Sequence, residues 1–263
     1  MQTGGLRFRI LFVTVCVLFS MLLGSCSSDK ASPEPQPSPT AEGQDTAWNY
    51  VALGDGLLSE DWHNLPEQHA ALIQADLGVE VQVVNLASNR QTSEGLRRRV
   101  VEKAHVRQAI SEADIIVISI GVGDSWELTE PYFESRCGGA DNQDCLREGL
   151  AAFQDNWDTI LAEIVALASP TETLIRPIAL RGVSPSIRRQ YGDREQDIDP
   201  FVSNAEAMWD YMVQSCEEYG IPVTDGRRTQ EPQYHSLHGT FPNDEGRAIL
   251  VELLRDLGYE YGQ

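Results

Sequence analysis

The chain has 263 residues, 41% of them hydrophobic, with 40 acidic side chains against 20 basic and a formal net charge of −20. That length suffices for one sizeable core. A surface so acidic argues against nucleic acid and against an anionic bilayer face as partners, and by itself it names no other partner.

At the N-terminus, Arg7 and Arg9 precede an uncharged apolar run from Ile10 to Leu23, and Gly24-Ser25-Cys26 follows. The run is short and ends in small residues, as a signal peptide does and a membrane-spanning helix does not. Leu23-Gly24-Ser25-Cys26 resembles the bacterial lipobox, which implies that Cys26 becomes the lipidated first residue of the mature protein. The alternative is a plain secretory signal with an incidental cysteine, in which Cys16 is equally incidental. Residues 27–47 are polar and carry Pro33, Pro35, Pro37 and Pro39. Such a segment buries too little apolar area to fold and reads as a disordered tether. The expected division is therefore a signal over 1–26, a tether over 27–47 and a folded domain over 48–263. It places the protein outside the cytoplasm, held by lipid on the outer face of a bacterial membrane.

Tyr50 to Leu53 is an apolar run that stops at Gly54-Asp55-Gly56, which reads as a buried strand delivering a glycine-permitted turn. Asn64-Leu65-Pro66-Glu67 combines a capping residue, an early proline and an acid three positions on, so a helix runs from there to about Leu77 and ends at Gly78. Val79 to Leu86 reads as a strand, and Glu94 to Ile110 as a helix. Asp114 to Ile120 is continuously apolar after its first residue, a strand buried on both faces, and it ends in the glycine-rich turn Gly121-Val122-Gly123-Asp124. Cys137 and Cys145 flank a polar loop, which in an exported protein reads as a local disulfide. No second Cys/His pair has the spacing that a structural metal site needs. Leu146, Leu150, Phe153, Trp157, Ile160, Leu161, Ile164 and Leu167 recur at helical spacing up to Pro170. Thr173 to Ile178 reads as a strand and Gly182 to Pro200 as a long charged loop. Ala205, Met208, Trp209, Tyr211, Met212 and Cys216 lie on one helix, with Cys216 a buried thiol. Ile221-Pro222-Val223 reads as a short strand, Gly226 to Thr240 as turns, and Asn243 to Leu257 as a final helix capped by Asn243. Strands alternate with helices throughout, so the fold class is α/β, a three-layer sandwich around a mainly parallel sheet. Ligands in such sheets bind outside the carboxyl ends of the strands, which puts Gly54 to Ser59 at the mouth of a site.

Four stretches together resemble the SGNH, or GDSL-type, hydrolases over essentially all of residues 48–260. The first family block, Gly-Asp-Ser after the first strand, is matched by Gly54-Asp55-Gly56. The second, Asn-x-Gly/Ala-x-Ser-Gly, is matched by Asn85-Leu86-Ala87-Ser88-Asn89-Arg90, with Thr92-Ser93 beyond it. The third, Gly-x-Asn-Asp, is matched by Gly121-Val122-Gly123-Asp124. The last, Asp-Gly-x-His-Pro-Asn-Asp, is matched by His238-Gly239-Thr240-Phe241-Pro242-Asn243-Asp244. The resemblance implies a flavodoxin-like sheet and an ester hydrolase that needs no cofactor or metal.

It also implies where the chemistry would sit, and there the chain departs from the pattern. The family's nucleophilic serine falls on Gly56, which has no oxygen to attack a carbonyl. Its histidine base and the acid that orients it fall on Phe241 and His238. Its oxyanion donors fall on the Gly56 backbone, the Arg90 N–H and the side chain at position 123, here Gly123. Losing one such donor costs roughly 100- to 1000-fold in turnover, and losing a serine or histidine of the triad roughly a millionfold in a measured case. The expectation is a hydrolase scaffold whose machinery is substituted, left with a binding role toward an envelope saccharide or a protein partner, or with a structural one. The rival is an active esterase or deacetylase with a relocated nucleophile: Ser59, with His235 or His238 as base and Asp55 or Asp124 as orienting acid. Against it, Ser59 reads as a helix-cap hydroxyl and the histidines as solvated loop residues. His235 and His238 lie in a loop without an assured carboxylate, so they do not make a metal pair. Arg90 either fills the vacated site by pairing with Asp55 or Asp124, or it binds an anionic or carbohydrate ligand.

Overall fold

The computed structural model describes residues 47–60, 64–180, 183–191, 195–235 and 239–261. The signal segment, Cys26 and the tether lie outside the described residues, as does His238. In chain order the elements are β1 (Trp48–Gly54), α1 (Leu65–Leu77), β2 (Val81–Asn85), α2 (Ser93–Glu102), α3 (Ala104–Ser111), β3 (Ile115–Ser119), α4 (Val122–Phe133), α5 (Asp144–Leu167), β4 (Leu174–Ala179), α6 (Pro185–Tyr191), α7 (Glu195–Glu218), β5 (Thr224–Asp225) and α8 (Asp244–Asp256). Two short 3-10 turns, Arg227–Gln230 and Pro232–Tyr234, precede α8.

The five strands form one parallel sheet in the order β2-β1-β3-β4-β5. Its centre is the apolar pair β1 and β3, in register from Tyr50↔Ile115 to Gly54↔Ser119. Both are buried on both faces, which is why they read as unbroken hydrophobic runs rather than alternating ones. Helices α1 and α8 pack together on one side of the sheet, and α2, α5 and α7 pack in a row on the other, giving the three-layer sandwich. The connections from β1 and into β3 diverge to opposite sides of the sheet order. The gap between the carboxyl ends of β1 and β3 is therefore a topological switch point, where open α/β sheets bind ligands.

Local signals account for many boundaries. Gly78 closes α1 in the left-handed conformation, φ 69°, donating its N–H to Gln74 O. Asn243 caps α8, its Oδ1 accepting the Gly246 N–H at 3.0 Å. Cys137 and Cys145 form the disulfide, with Cα atoms 4.8 Å apart, and Cys216 is a buried free thiol whose pKa burial pushes up to about 12.

Five readings of the sequence are corrected. The helix expected over Glu94 to Ile110 is two helices, because Lys103 adopts extended backbone and redirects the chain so that Val106 and Ile110 face inward. Gly182 to Pro200 is not one loop: α6 and the first turns of α7 occupy much of it, with Pro200 accommodated inside α7. The turn after β3 leads directly into α4, a helix that sequence patterning missed because Pro131 and a run of polar residues obscure its period. The last strand falls on Thr224–Asp225 rather than Ile221 to Val223, since Pro222 has no N–H to give a ladder. Asn64 makes no side-chain cap to the backbone of α1, and its Oδ1 instead accepts from Gln68 Nε2 at 2.7 Å.

Candidate functional site

The site grows out of the end of β1. Gly54 has φ 117°, and a Cβ there would lie 1.8 Å from Ser119 O, so only glycine lets β1 end this close to β3. The Asp55 N–H donates to that same oxygen at 2.7 Å. The chain then folds into a tight turn, with Leu58 N–H donating to Asp55 O. Asn85, at the end of β2, braces this turn: its Nδ2 donates to Leu58 O at 2.7 Å, while its Oδ1 accepts the Ala87 N–H at 3.0 Å. The first and second blocks are thereby locked together, with Ser88 N–H donating to Gly54 O.

Asp55 points inward and is 1% exposed. Its Oδ1 accepts from the Leu57 N–H at 3.2 Å and the Ser119 hydroxyl at 3.1 Å, whereas Oδ2 is buried without a hydrogen-bond partner. Burial pushes its pKa up to about 7, against the pull of the Leu57 N–H, the Ser119 hydroxyl and the Val122 N–H, and nearby Asp124 adds to the rise. Asp124, in the first turn of α4, is committed elsewhere. Both its oxygens accept the Ser93 N–H, at 3.1 and 2.9 Å, and Oδ1 accepts the Ser93 hydroxyl at 2.5 Å. This carboxylate stitches α4 to the start of α2, and burial raises its pKa despite those bonds.

Residues of three of the four blocks, Gly56, Asn89 and Phe241, meet at Gly56. A Cβ added to Gly56 would lie 2.6 Å from Phe241 Cε2, 3.0 Å from Phe241 Cζ and 3.1 Å from Asn89 Oδ1. The phenyl ring and the Asn89 amide thus occupy the space a side chain at 56 would need. The fourth position is filled likewise: a Cβ on Gly123 would lie 2.3 Å from Gln91 O. The loop that carries Phe241 is shaped by a bridge between His235 and Pro242 and by Asn243 N–H donating to Tyr234 O at 2.6 Å. Arg247 on α8 donates from Nη1 to Pro242 O at 2.8 Å and holds the loop from below.

Among the described residues, the fallback candidates are not placed as the sequence reading had them. Ser59 is buried, 2% exposed, in irregular backbone well before α1, so it is not a helix cap. His235 is buried rather than solvated, and burial lowers its pKa against the pull of backbone groups of Thr229 and Gly239. Among the described residues no group of three or more His, Cys, Asp or Glu is placed to hold a metal ion. Arg90 does not make the pairing with Asp55 or Asp124 that was one of its two sequence readings. It is exposed, its backbone is left-handed with φ 58°, and it makes neither an ion pair nor a hydrogen bond among the described residues. Asp124 is already occupied by Ser93 and Asp55 is sealed beneath the turn, so neither carboxylate is available to it.

No protein-family model matches the sequence, and no curated protein matches it significantly. Solved structures do match. A lipase from a goat rumen metagenome superposes with a TM-score of 0.65 at 19% identity, covering 81% of this chain and 98% of its own. An acetyl xylan esterase from Geobacillus stearothermophilus gives 0.57 at 17% identity, over 82% and 97% of the two chains. A lipase/acylhydrolase from Enterococcus faecalis gives 0.54 at 19% identity, over 80% and 95%. The chain has the SGNH hydrolase fold. On that fold the four blocks quoted from the sequence occupy one place, the switch point between β1 and β3, with Gly56, Arg90, Gly123 and Phe241 around it.

Two features of this SGNH fold escaped the sequence reading. Trp126, one turn beyond Gly123 on α4, is 46% exposed and lines a cleft beside the site with Val122, Leu180, Ile187, Phe201 and Trp209. Residues 90–107 hold six cations, Arg90, Arg97, Arg98, Arg99, Lys103 and Arg107, against two acids, Glu94 and Glu102. In a chain with twice as many acids as bases, that local count was the available signal.

Proposed function

We propose that this protein is a non-hydrolytic binding protein built on the SGNH fold, exported and held to its membrane by lipid on Cys26. The observation that carries the reading is the Phe241 ring seated against Gly56. Hydrolysis needs a nucleophilic oxygen, a base within hydrogen-bond reach and donors aimed at the oxyanion. Position 56 lacks the oxygen and its space is filled. Position 241 carries a ring that cannot hold a proton. Position 123 lacks an amide, and the Gln91 carbonyl sits where an asparagine side chain would begin. The burial of Ser59 argues against a relocated nucleophile, which has to meet substrate. What the fold keeps is a switch-point surface and, adjoining it, a narrow apolar cleft with an exposed tryptophan at its rim.

A serine-directed fluorophosphonate with mass-spectrometric mapping tests the reading. The expected result is no adduct on any serine; an adduct on Ser59 would assign a working nucleophile. For the anchor, Cys26→Ala is expected to move the protein from the membrane fraction to the soluble one, and retention at the membrane would refute lipidation at that residue.

A further inference from the structure

We infer that the mouth of this site binds a saccharide bearing carboxylate or phosphate groups, with Arg90 taking the anionic group and Trp126 the sugar ring. The inference rests on the binding reading above and specifies its ligand class. Arg90 is the first observation. A non-glycine residue in left-handed backbone is strained, and such strain persists where a side chain's placement matters. Here the strain, at φ 58°, displays a guanidinium that no group among the described residues neutralises. A guanidinium so placed offers paired donors that match a carboxylate or phosphate oxygen pair.

Trp126 is the second, independent observation. A tryptophan 46% exposed at the rim of a cleft presents the negative face of its ring system to whatever stacks there. The C–H face of a pyranose, apolar and slightly positive, is a suitable partner. The two residues border one patch. The Gly123 Cβ position is 2.3 Å from Gln91 O, Arg90 is the residue before Gln91, and Trp126 is one helical turn past Gly123. Adding one 3.8 Å Cα step and one helical turn to that contact, their backbones lie within roughly 15 Å of each other.

The electrostatics favour a short anionic ligand over a large polyanion. Next to the mouth, Arg97 Nε and Arg99 Nη1 bond neutral amides, Asn156 Oδ1 at 3.0 Å and Gln91 Oε1 at 3.1 Å, so their charge remains to act on a ligand. Glu94 is engaged by Arg98 at 3.6 Å and Asp124 by Ser93, while exposed Glu127 beside Trp126 and exposed Glu60 after the Gly56 turn are opposing carboxylates. The rest of the surface is strongly acidic and repels a nucleic acid or an anionic bilayer at longer range.

The test is isothermal titration of the purified full chain at low and physiological salt with hexagalacturonate, a galactose phosphate, neutral xylohexaose and phosphatidylglycerol vesicles. The expected result is binding of the uronate or the sugar phosphate at least tenfold tighter than of xylohexaose, weakened by salt. Arg90→Ala and Trp126→Ala should each weaken it at least tenfold, while Arg136→Ala on the disulfide loop leaves it unchanged. Which of the two anionic sugars wins identifies the source of the charge. Equal affinity for neutral and anionic sugars, binding of both anionic probes insensitive to Trp126→Ala, binding of vesicles only, or no binding at all would each overturn the inference. Ester hydrolysis would overturn the non-hydrolytic reading instead, so the two fail by different readouts.

Discussion

Restoring the missing serine probes the packing at the heart of the site. Gly56→Ser places a Cβ 2.6 Å from Phe241 Cε2 and 3.0 Å from Cζ. Carbon atoms prefer roughly 3.5–4.0 Å, so the ring must rotate or the turn must shift. Overpacking of this kind costs about 1–3 kcal/mol. Phe241→Ala removes the obstruction, so Gly56→Ser introduced into that background is expected to cost far less. The difference is a coupling energy, expected at about 1–2 kcal/mol within the range of about 0.5–3 kcal/mol seen for contacting residues. Urea unfolding of the four proteins of the cycle, fitted with a common slope, measures it. If Gly56→Ser costs the same with and without Phe241, to within about 0.5 kcal/mol, the ring is not seated over Gly56 and the argument for an occupied site fails.

Three further outcomes are expected. Arg90→Gly relieves the left-handed strain and should raise stability by about 1 kcal/mol, or about 2–4 °C in melting temperature; an unchanged or lower melting temperature would contradict it. Reducing the Cys137–Cys145 bridge should cost about 2.5 kcal/mol, from the entropy of the short loop it closes, and an identical melting curve with reductant would show that the bridge constrains nothing. Asp55→Asn isolates the buried carboxyl. Because the folded pKa of Asp55 is raised to about 7, the folded state holds its proton while the unfolded chain loses it near 3.8, so stability falls as pH rises across that window and the loss is complete above it. His69, whose pKa burial lowers to about 4, works in the opposite sense over much of the same range, so the wild-type profile is flattened and the variant-minus-wild-type difference is the readout. That difference should swing toward the variant by up to about 4 kcal/mol between pH 4 and pH 8, and a pH-independent difference would show that Asp55 is not held protonated.

The sheet was legible because its central strands carry their own evidence. Tyr50 to Leu53 and Ile115 to Ile118 are continuous apolar runs ended by glycine turns, and Gly78 and Asn243 mark helix ends by their local chemistry. The break at Lys103 was not legible, because no glycine or proline stands there and the turn is dictated by packing of Val106 and Ile110. At the site, the identities at 56, 90, 123 and 241 could be read from motif order alone. Their contacts could not. That Phe241 lies on Gly56 is a through-space fact between residues far apart in the chain, set by the bridge between His235 and Pro242 and by the Arg247 hydrogen bond. The outward turn of Arg90 is a backbone property that no residue pattern announces, since arginine rarely adopts a positive φ.

The proposal that this protein does not hydrolyse esters is tested by the initial rate of p-nitrophenyl acetate hydrolysis by the purified protein beside its Ser59→Ala variant. The account predicts rates equal to buffer for both. A rate well above buffer that disappears in Ser59→Ala would place a rebuilt nucleophile one turn beyond Gly56, and a rate that survives the substitution would assign water activation to His235 or His238. Either result contradicts the account.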